Sequence, residues 1–338
     1  MGAPAPVGMS LPQAAVPSQV RARVVRCTPV GDYHRLELDA GAAAVSAQPG
    51  QFVAVAVGGT PTATLLRRVF SVHRATPGGR LELVVAARGV GSEWVTRREP
   101  GDTLELTGPL GRPFPLPASA PCSGLPPGGA VVVGGGYGSA PLVWLAEVLA
   151  ARGVRVAAVL GAATTSRLFG VEALVGLLGR ERVRVTTDDG SGGVAGRVTD
   201  VLAEAVGSVQ AEEVYACGPM PMLRAVTDVA ATVRARAWCT VEESMACGVG
   251  VCMTCVLPVR GADGQTRMTR SCVEGPTFEG TALRWDALRP AGAGGGAVVP
   301  EDCVGALRPV VAAPAGTRGT TGSTCATGSA GPAGGLLR

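Results

Sequence analysis

From Val20 to Leu106 apolar residues come in short runs that alternate with polar ones or are rich in β-branched side chains. The runs are Val20–Val25, Leu36–Leu38, Gln51–Val57, Val69–Val72, Leu81–Ala87 and Thr103–Leu106, with Gly and Pro turns such as Gln48-Pro49-Gly50 between them. A period of two sends alternate side chains to opposite faces of a strand. About six strands at this spacing predict a small antiparallel barrel.

After a Pro-rich joint, Pro113–Gly129, the pattern changes. Ala130–Val133 is a continuous apolar run followed by Gly134-Gly135-Gly136 and a helical stretch from Ala140 to Arg152. Strand-like Val154–Leu160, Val183–Thr187 and Glu213–Ala216 then alternate with helical Glu172–Leu178, Val198–Ala205 and Met220–Ala235. Such alternation predicts a parallel sheet with helices on both faces.

A length of 338 residues accommodates two or three cores, and aromatic residues, at 4%, leave those cores to Val, Leu and Ala. The formal charge of +4 is spread along the chain with no basic, aromatic-interleaved run, so nucleic acid is not an expected partner. Met1–Ser18 lacks the basic start and apolar core of a secretion signal, and no apolar run reaches the length of a membrane span. A cytoplasmic location without a membrane partner is expected. The expected divisions are a disordered lead (1–18), the barrel (19–118), the α/β domain (119–238), a cysteine-rich domain (239–289) and a low-complexity tail (290–338).

Of ten cysteines, four lie in one stretch, Cys247-x4-Cys252-x2-Cys255-x16-Cys272. A [2Fe–2S] cluster needs four thiolates, two per iron, and a tight loop can supply three of them only if its backbone wraps the inorganic sulfides. Gly248 and Gly250 permit that wrapping, and the spacing is that of plant-type ferredoxins. A structural zinc site also takes four cysteines, but it usually pairs them in two short knuckles, and Cys272 has no near partner. Cys239 reads as a small buried residue at a strand end, and His34 and His73 as surface or strand histidines.

Arg68-Val69-Phe70-Ser71 opens a strand. An arginine there can pair with a pyrophosphate, and a hydroxyl can meet a flavin edge, although an arginine before a buried strand is also ordinary. Arg88-Gly89-Val90-Gly91-Ser92 precedes a short helix whose amides could bind phosphate, or it is a plain turn. Gly134, Gly135, Gly136 and Gly138 stand between a buried strand and a helix, the place of a pyrophosphate turn, without the full dinucleotide fingerprint. Cys217 and Gly218 end a later strand where open α/β sheets bind ligands, and Cys217 is equally a small core residue.

With barrel, glycine-turn α/β unit and four cysteines in this order, the chain resembles the ferredoxin-reductase superfamily. Within it, the chain is most similar to the electron-transfer subunits of NAD-dependent, two-subunit dihydroorotate dehydrogenases. The likeness runs from Val20 to Leu288. It is carried by Leu66–Ser71, Gly134–Leu142, Thr187-Asp188-Asp189-Gly190-Ser191, Tyr215-Ala216-Cys217-Gly218-Pro219 and Glu242–Cys252. It implies a flavin-binding β-barrel, a nicotinamide-binding α/β domain and a small C-terminal [2Fe–2S] domain. By motif, Arg68, Val69, Phe70, Ser71, Val84, Val85, Ala86, Gly91 and Ser92 would hold FAD, and Cys247, Cys252, Cys255 and Cys272 the cluster. The family commonly has Pro at the position of Val69 and Thr at that of Ser92, mild changes that keep backbone and hydroxyl.

The resemblance further implies an FMN-containing catalytic partner in a two-plus-two heterotetramer. Electrons from dihydroorotate would pass through the cluster to FAD and then to NAD⁺, with no side-chain acid or base required on this chain. Two other readings remain at this point. One is a reductase subunit for an oxygenase, sulfide dehydrogenase or hydrogenase; the other is a zinc-stapled interaction module without activity.

Overall fold

The structure is a computed structural model that describes residues 17–58, 64–117, 128–288, 297, 299–300 and 302–304. Strands β1 (Ser18–Val30), β2 (Tyr33–Asp39), β3 (Phe52–Val55), β4 (Arg68–Ala75), β5 (Arg80–Ala86) and β6 (Thr103–Leu110) close into an antiparallel barrel in the order β1-β2-β5-β4-β3-β6. Leu36, Leu38, Leu81, Leu83, Leu104 and Leu106 fill its interior, spaced two apart on each strand as the alternation requires. Helix α1 (Ala42–Val45), absent from the sequence expectation, turns Ala43 and Ala44 into this core, and α2 (Val90–Thr96) follows β5.

The second layer runs β7 (Gly129–Gly135), α3 (Ala140–Ala151), β8 (Val156–Ala162), α4 (Val171–Leu178), β9 (Val183–Thr187), β10 (Val194–Ala195), α5 (Val198–Val209), β11 (Ala211–Cys217), α6 (Met220–Thr232) and β12 (Arg236–Thr240). Every pairing from β10 across to β12 is parallel. Strand β7 is central and buried on both faces, and so its sequence is a continuous apolar run. Val131 and Val133 pack toward α5 and α6, whereas Ala130 and Val132 pack toward α3 and α4. Helix α6 stops at Thr232, short of the expected Ala235, where Arg234 takes a left-handed φ of 60°.

The C-terminal segment is not separate from this sheet. Strand β12 carries Cys239 inside the sheet, so the sheet continues across the expected 238/239 division. Strands β13 (Val256–Arg260) and β14 (Thr266–Arg270) form a hairpin, and β15 (Thr277–Glu279) pairs antiparallel with β12. Within the segment expected to lack order, Ala297 bridges Leu288, Cys303 bridges Thr266, and Asp302 accepts from Arg284. The rest of that tail and residues 1–16 lie outside the described residues. Among the described residues no helix is long and apolar enough to cross a membrane.

The barrel docks on α3 through β4. His73 is buried, with its Nδ1 2.7 Å from the Ala140 carbonyl and its ring edge-on to Phe169, and Arg74 pairs with Glu147. Burial holds the His73 pKa below its ordinary value of 6.5, against the opposing pull of the Ala140 carbonyl and Glu82, while Arg35 and Arg74 add to the lowering. The native state therefore refuses a proton that the unfolded chain accepts. Stability contributed by neutral His73 is present above the unfolded value and is lost as pH falls through 6.5 toward the native pKa. Urea midpoints measured across that window should drop on acidification, and His73→Gln should flatten the drop.

Candidate functional site

Strand β12 delivers the chain into the cysteine loop. Gly248 and Gly250 have φ of 72° and 82°, a left-handed backbone that glycine adopts without strain. The loop curls around one sulfur, and the backbone N–H groups of Val249, Val251 and Cys252 donate to Cys247 Sγ at 3.5, 3.4 and 3.4 Å. Hydrogen bonds from Thr254 and then from Cys247 hold the Cys252 pKa down at about 6. Converging N–H donors favour thiolate, the form that ligates metal.

The other two thiols sit deeper. Cys255, just ahead of β13, and Cys272, just past β14, are buried against Phe52, Ala54 and Leu110 of the barrel. Burial, then Cys255, pushes the Cys272 thiol up to about 12, a cost that a bound cation would remove. Arg270 Nη1 donates to the Gly250 carbonyl at 3.0 Å and ties β14 to the loop. Among the described residues no three His, Cys, Asp or Glu side chains gather around a single-ion position. A two-iron cluster asks for a different arrangement, with two thiolates on each of two irons. The donor set, all sulfur and partly preset toward thiolate, fits such a group.

Beside this loop lies a cavity of about 400 Å³ between the barrel rim and the sheet. Val69, Phe70 and Ser71 of β4 line it, as do Val84 and Ala86 of β5. Val85, between the last two, points the other way and is fully buried in the barrel core. Ser92 also lines the cavity, and its Oγ accepts from the N–H groups of Arg88 and Gly89 at 2.9 and 3.1 Å. Arg68 lies over Gly91 so closely that a Cβ there would sit 2.6 Å from its Nε. Phe52, Val69 and Met245 line the cavity and also pack with the buried thiols, so cavity and cysteine site share one wall.

A second cavity of about 450 Å³ opens at the carboxyl ends of β7, β8 and β9. Gly135 and Gly136 form part of it, with Arg88, Arg167, Asp188 and Arg197 as its charged lining. Gly134 and Gly138 are fixed by close approach: a Cβ on the first would meet Ser139 Oγ at 2.4 Å, and on the second the Cys217 carbonyl oxygen at 2.5 Å. Gly218 packs its Cα against Gly138 and lies beside Gly135.

Tyr137 and Arg88 line both cavities and form the wall between them, with the guanidinium carbon 4.9 Å from the ring centroid. Burial, then the hydrogen-bonded Glu242, pushes the Tyr137 phenol far above its usual range. Cys217 lines the first cavity, and burial, then Glu242, keeps its thiol protonated at any ordinary pH.

The structure thus gathers Val69, Phe70, Ser71, Val84, Ala86, Ser92, Gly138 and Cys217 around one cavity and Gly135 and Gly136 around the other. Arg68, Gly91, Gly134 and Gly218 are not among the lining residues of either cavity; Arg68 lies against Gly91, and Gly218 beside Gly135 and Gly138. Sequence reasoning missed Tyr137, Glu242 and Arg167. The first two lay inside segments already singled out, Gly134–Leu142 and Glu242–Cys252, but nothing local links residues so far apart in the chain. Arg167 stands in a loop with no motif.

Residues 242–284 match the model of the iron–sulfur cluster binding domain of dihydroorotate dehydrogenase B. The chain is 39% identical over 231 residues to the dihydroorotate dehydrogenase B (NAD(+)) electron transfer subunit of Bacillus caldolyticus, covering 68% of this chain and 84% of that protein. It is 36% identical over 263 residues to the subunit of the same name from Shouchella clausii, covering 77% and 96%. Among solved structures, a NADH-dependent reduced ferredoxin-NADP oxidoreductase described for flavin-based electron bifurcation superposes with a TM-score of 0.67 at 27% identity, covering 79% of this chain and 91% of that one.

Proposed function

Since the chain belongs to the family of electron transfer subunits of NAD⁺-dependent dihydroorotate dehydrogenase B, we propose that its cysteine loop and two cavities form one electron path from a catalytic partner subunit to NAD⁺. It is an oxidoreductase subunit of pyrimidine biosynthesis with an iron–sulfur domain and an FAD-binding reductase fold. That identity replaces the zinc-module and alternative-reductase readings.

Cys247, Cys252, Cys255 and Cys272 would hold the cluster as [2Fe–2S]. The first cavity would take the FAD isoalloxazine, with Arg68 and the Gly91–Ser92 turn toward its phosphates. The second would take the dinucleotide. The partner would carry FMN in a two-plus-two heterotetramer, with both subunits in the cytoplasm. A flavin exchanges one or two electrons and a cluster only one, which matches two-electron nicotinamide chemistry to a one-electron relay. The observation that carries the reading is the shared wall. Phe52, Val69 and Met245 belong to the packed cluster that holds the buried Cys255 and Cys272 and also line the first cavity, which would put flavin and cluster on either side of a shared wall.

Around these sites the chain's own residues bind and exclude. Val69, Val84 and Ala86 present an apolar surface, Ser71 a hydroxyl, and Tyr137 closes the cavity toward the nucleotide. Protein purified anaerobically with its catalytic partner should show flavin and iron–sulfur bands and should reduce NAD⁺ with dihydroorotate. A colourless preparation containing one zinc would refute the reading. Gly91→Ala tests the Arg68 contact. Its Cβ displaces the guanidinium, and FAD affinity should fall about tenfold, the loss of one charge-assisted hydrogen bond, with an unchanged far-UV spectrum.

A further inference from the structure

The tip of the β1–β2 hairpin belongs to the barrel, yet it ends at the lip of the second cavity. Asp32 N–H donates to the Ser166 carbonyl at 3.1 Å, and its carboxylate accepts from Ser166 Oγ at 3.1 Å and faces Arg167 Nε at 3.6 Å. Tyr33, only 4% exposed, donates from its hydroxyl to the Arg167 carbonyl at 2.8 Å, with its ring held edge-on by Tyr137 and Phe169. Gly31 makes the approach possible: its φ is 57°, and a Cβ there would lie 2.6 Å from the Ser166 carbonyl oxygen. From the opposite side, Thr165 N–H donates to Ser191 Oγ at 2.9 Å, and Ser191 is in turn fixed by Asp189. The 164–167 loop is therefore clamped by the barrel on one flank and by the turn after β9 on the other.

What this clamp delivers to the cavity is the Arg167 side chain. The Asp32–Arg167 pair is about half exposed, 46% and 56%, and such a pair adds little stability. Its consequence is orientation. The charged lining holds three guanidinium groups, Arg88, Arg167 and Arg197, against the one carboxylate of Asp188, an excess that suits a diphosphate dianion.

We propose that Arg167 binds the diphosphate of the nicotinamide dinucleotide, and that Asp32 and Tyr33, contributed by the flavin barrel, are its positioning residues. The assignment rests on the second cavity being the nucleotide site. It also makes nucleotide affinity a property of both subdomains, since the barrel sets the aim of a residue in the sheet domain.

ADP-ribose, which carries the diphosphate without nicotinamide, is the probe, titrated calorimetrically into the FAD-loaded full chain with adenosine as control. Arg167→Ala should weaken ADP-ribose by about 10- to 100-fold, as for a lost hydrogen bond between charged groups, and leave adenosine unchanged. It should also lower the dependence of affinity on salt, a change that a merely structural role would not produce. Arg167→Lys should recover part of the loss. Asp32→Ala should weaken ADP-ribose by a smaller factor, and the double variant Asp32→Ala/Arg167→Ala should be no weaker than Arg167→Ala alone. Asp32→Ala combined with Arg197→Ala should instead multiply. Unchanged ADP-ribose affinity in Arg167→Ala would refute the ligand role, and multiplying effects of Asp32 and Arg167 would refute the positioning role. If the wild-type chain bound no ADP-ribose, the cavity reading itself would fail, a result distinct from either.

Discussion

Cys255→Ser is expected to abolish electron passage from dihydroorotate to NAD⁺ in the complete enzyme while leaving the flavin in place. Cys255 is 1% exposed and sits beneath the loop with Cys272, against Phe52, Ala54 and Leu110. Serine keeps the volume but offers a poor ligand for iron, and three thiolates cannot complete two irons. Loss of outer-shell partners already costs about 10- to 100-fold, so removal of a ligand should lower dihydroorotate-dependent NAD⁺ reduction by at least about 100-fold. Iron and acid-labile sulfide should fall with it. NADH-driven reduction of a small dye, which needs only flavin and nucleotide, should persist. Retention of full iron–sulfur absorbance in the variant would remove Cys255 from the ligand set. The iron, acid-labile sulfide and dye-reduction measurements, which do not need the catalytic partner, can be repeated on the free chain.

Gly138→Ala is the second substitution with a large expected effect. The missing Cβ would lie 2.5 Å from the Cys217 oxygen, 2.8 Å from the Cys217 carbonyl carbon and 2.8 Å from Gly218 Cα. All three atoms are backbone, so no side chain can swing away, and the turn after β7 must separate from the end of β11. Overpacking of this kind costs about 1–3 kcal/mol. In a chain of this size the melting temperature should fall by about 2 °C for each kcal/mol. Nucleotide binding should weaken more than stability alone explains, because Gly135, Gly136 and Cys217 bound the two cavities that meet at this turn. Gly176→Ala provides the contrast. That glycine lies within α4 with nothing within 4 Å of the added carbon, and the substitution should stabilise by up to about 1 kcal/mol through helix propensity. Equal melting temperatures for the two variants would mean that the turn is looser than the contacts at Gly138 require.

What was legible beforehand was what neighbouring residues encode. The two-residue period from Val20 to Leu106 set out the strands of the barrel, and the continuous run Ala130–Val133 marked a strand buried on both faces. The Cys247–Cys272 spacing pointed to the iron–sulfur region, because three of the four cysteines share one loop, and the ligand set it suggests remains a proposal. The local reading left out α1, β10, β12, β13, β14 and β15, elements that are short or lie in and beside the cysteine region, where β15 returns to pair with β12.

The functional surfaces were decided by tertiary contact. Val84, Val85 and Ala86 read alike as flavin-strand residues, yet the pleat sends Val85 into the barrel core and the other two to the cavity. Tyr137 meets Glu242 because β7 and β12 end on the same edge of one sheet, and the hairpin tip at Asp32 and Tyr33 meets Ser166 and Arg167 because the barrel packs against that sheet's domain. Periodicity records which way a side chain points relative to its neighbours along the chain. It carries no information about what another segment, more than a hundred residues away, will bring to meet it, and the cavity beside the cysteine loop and the one at the strand ends are each made at such meetings.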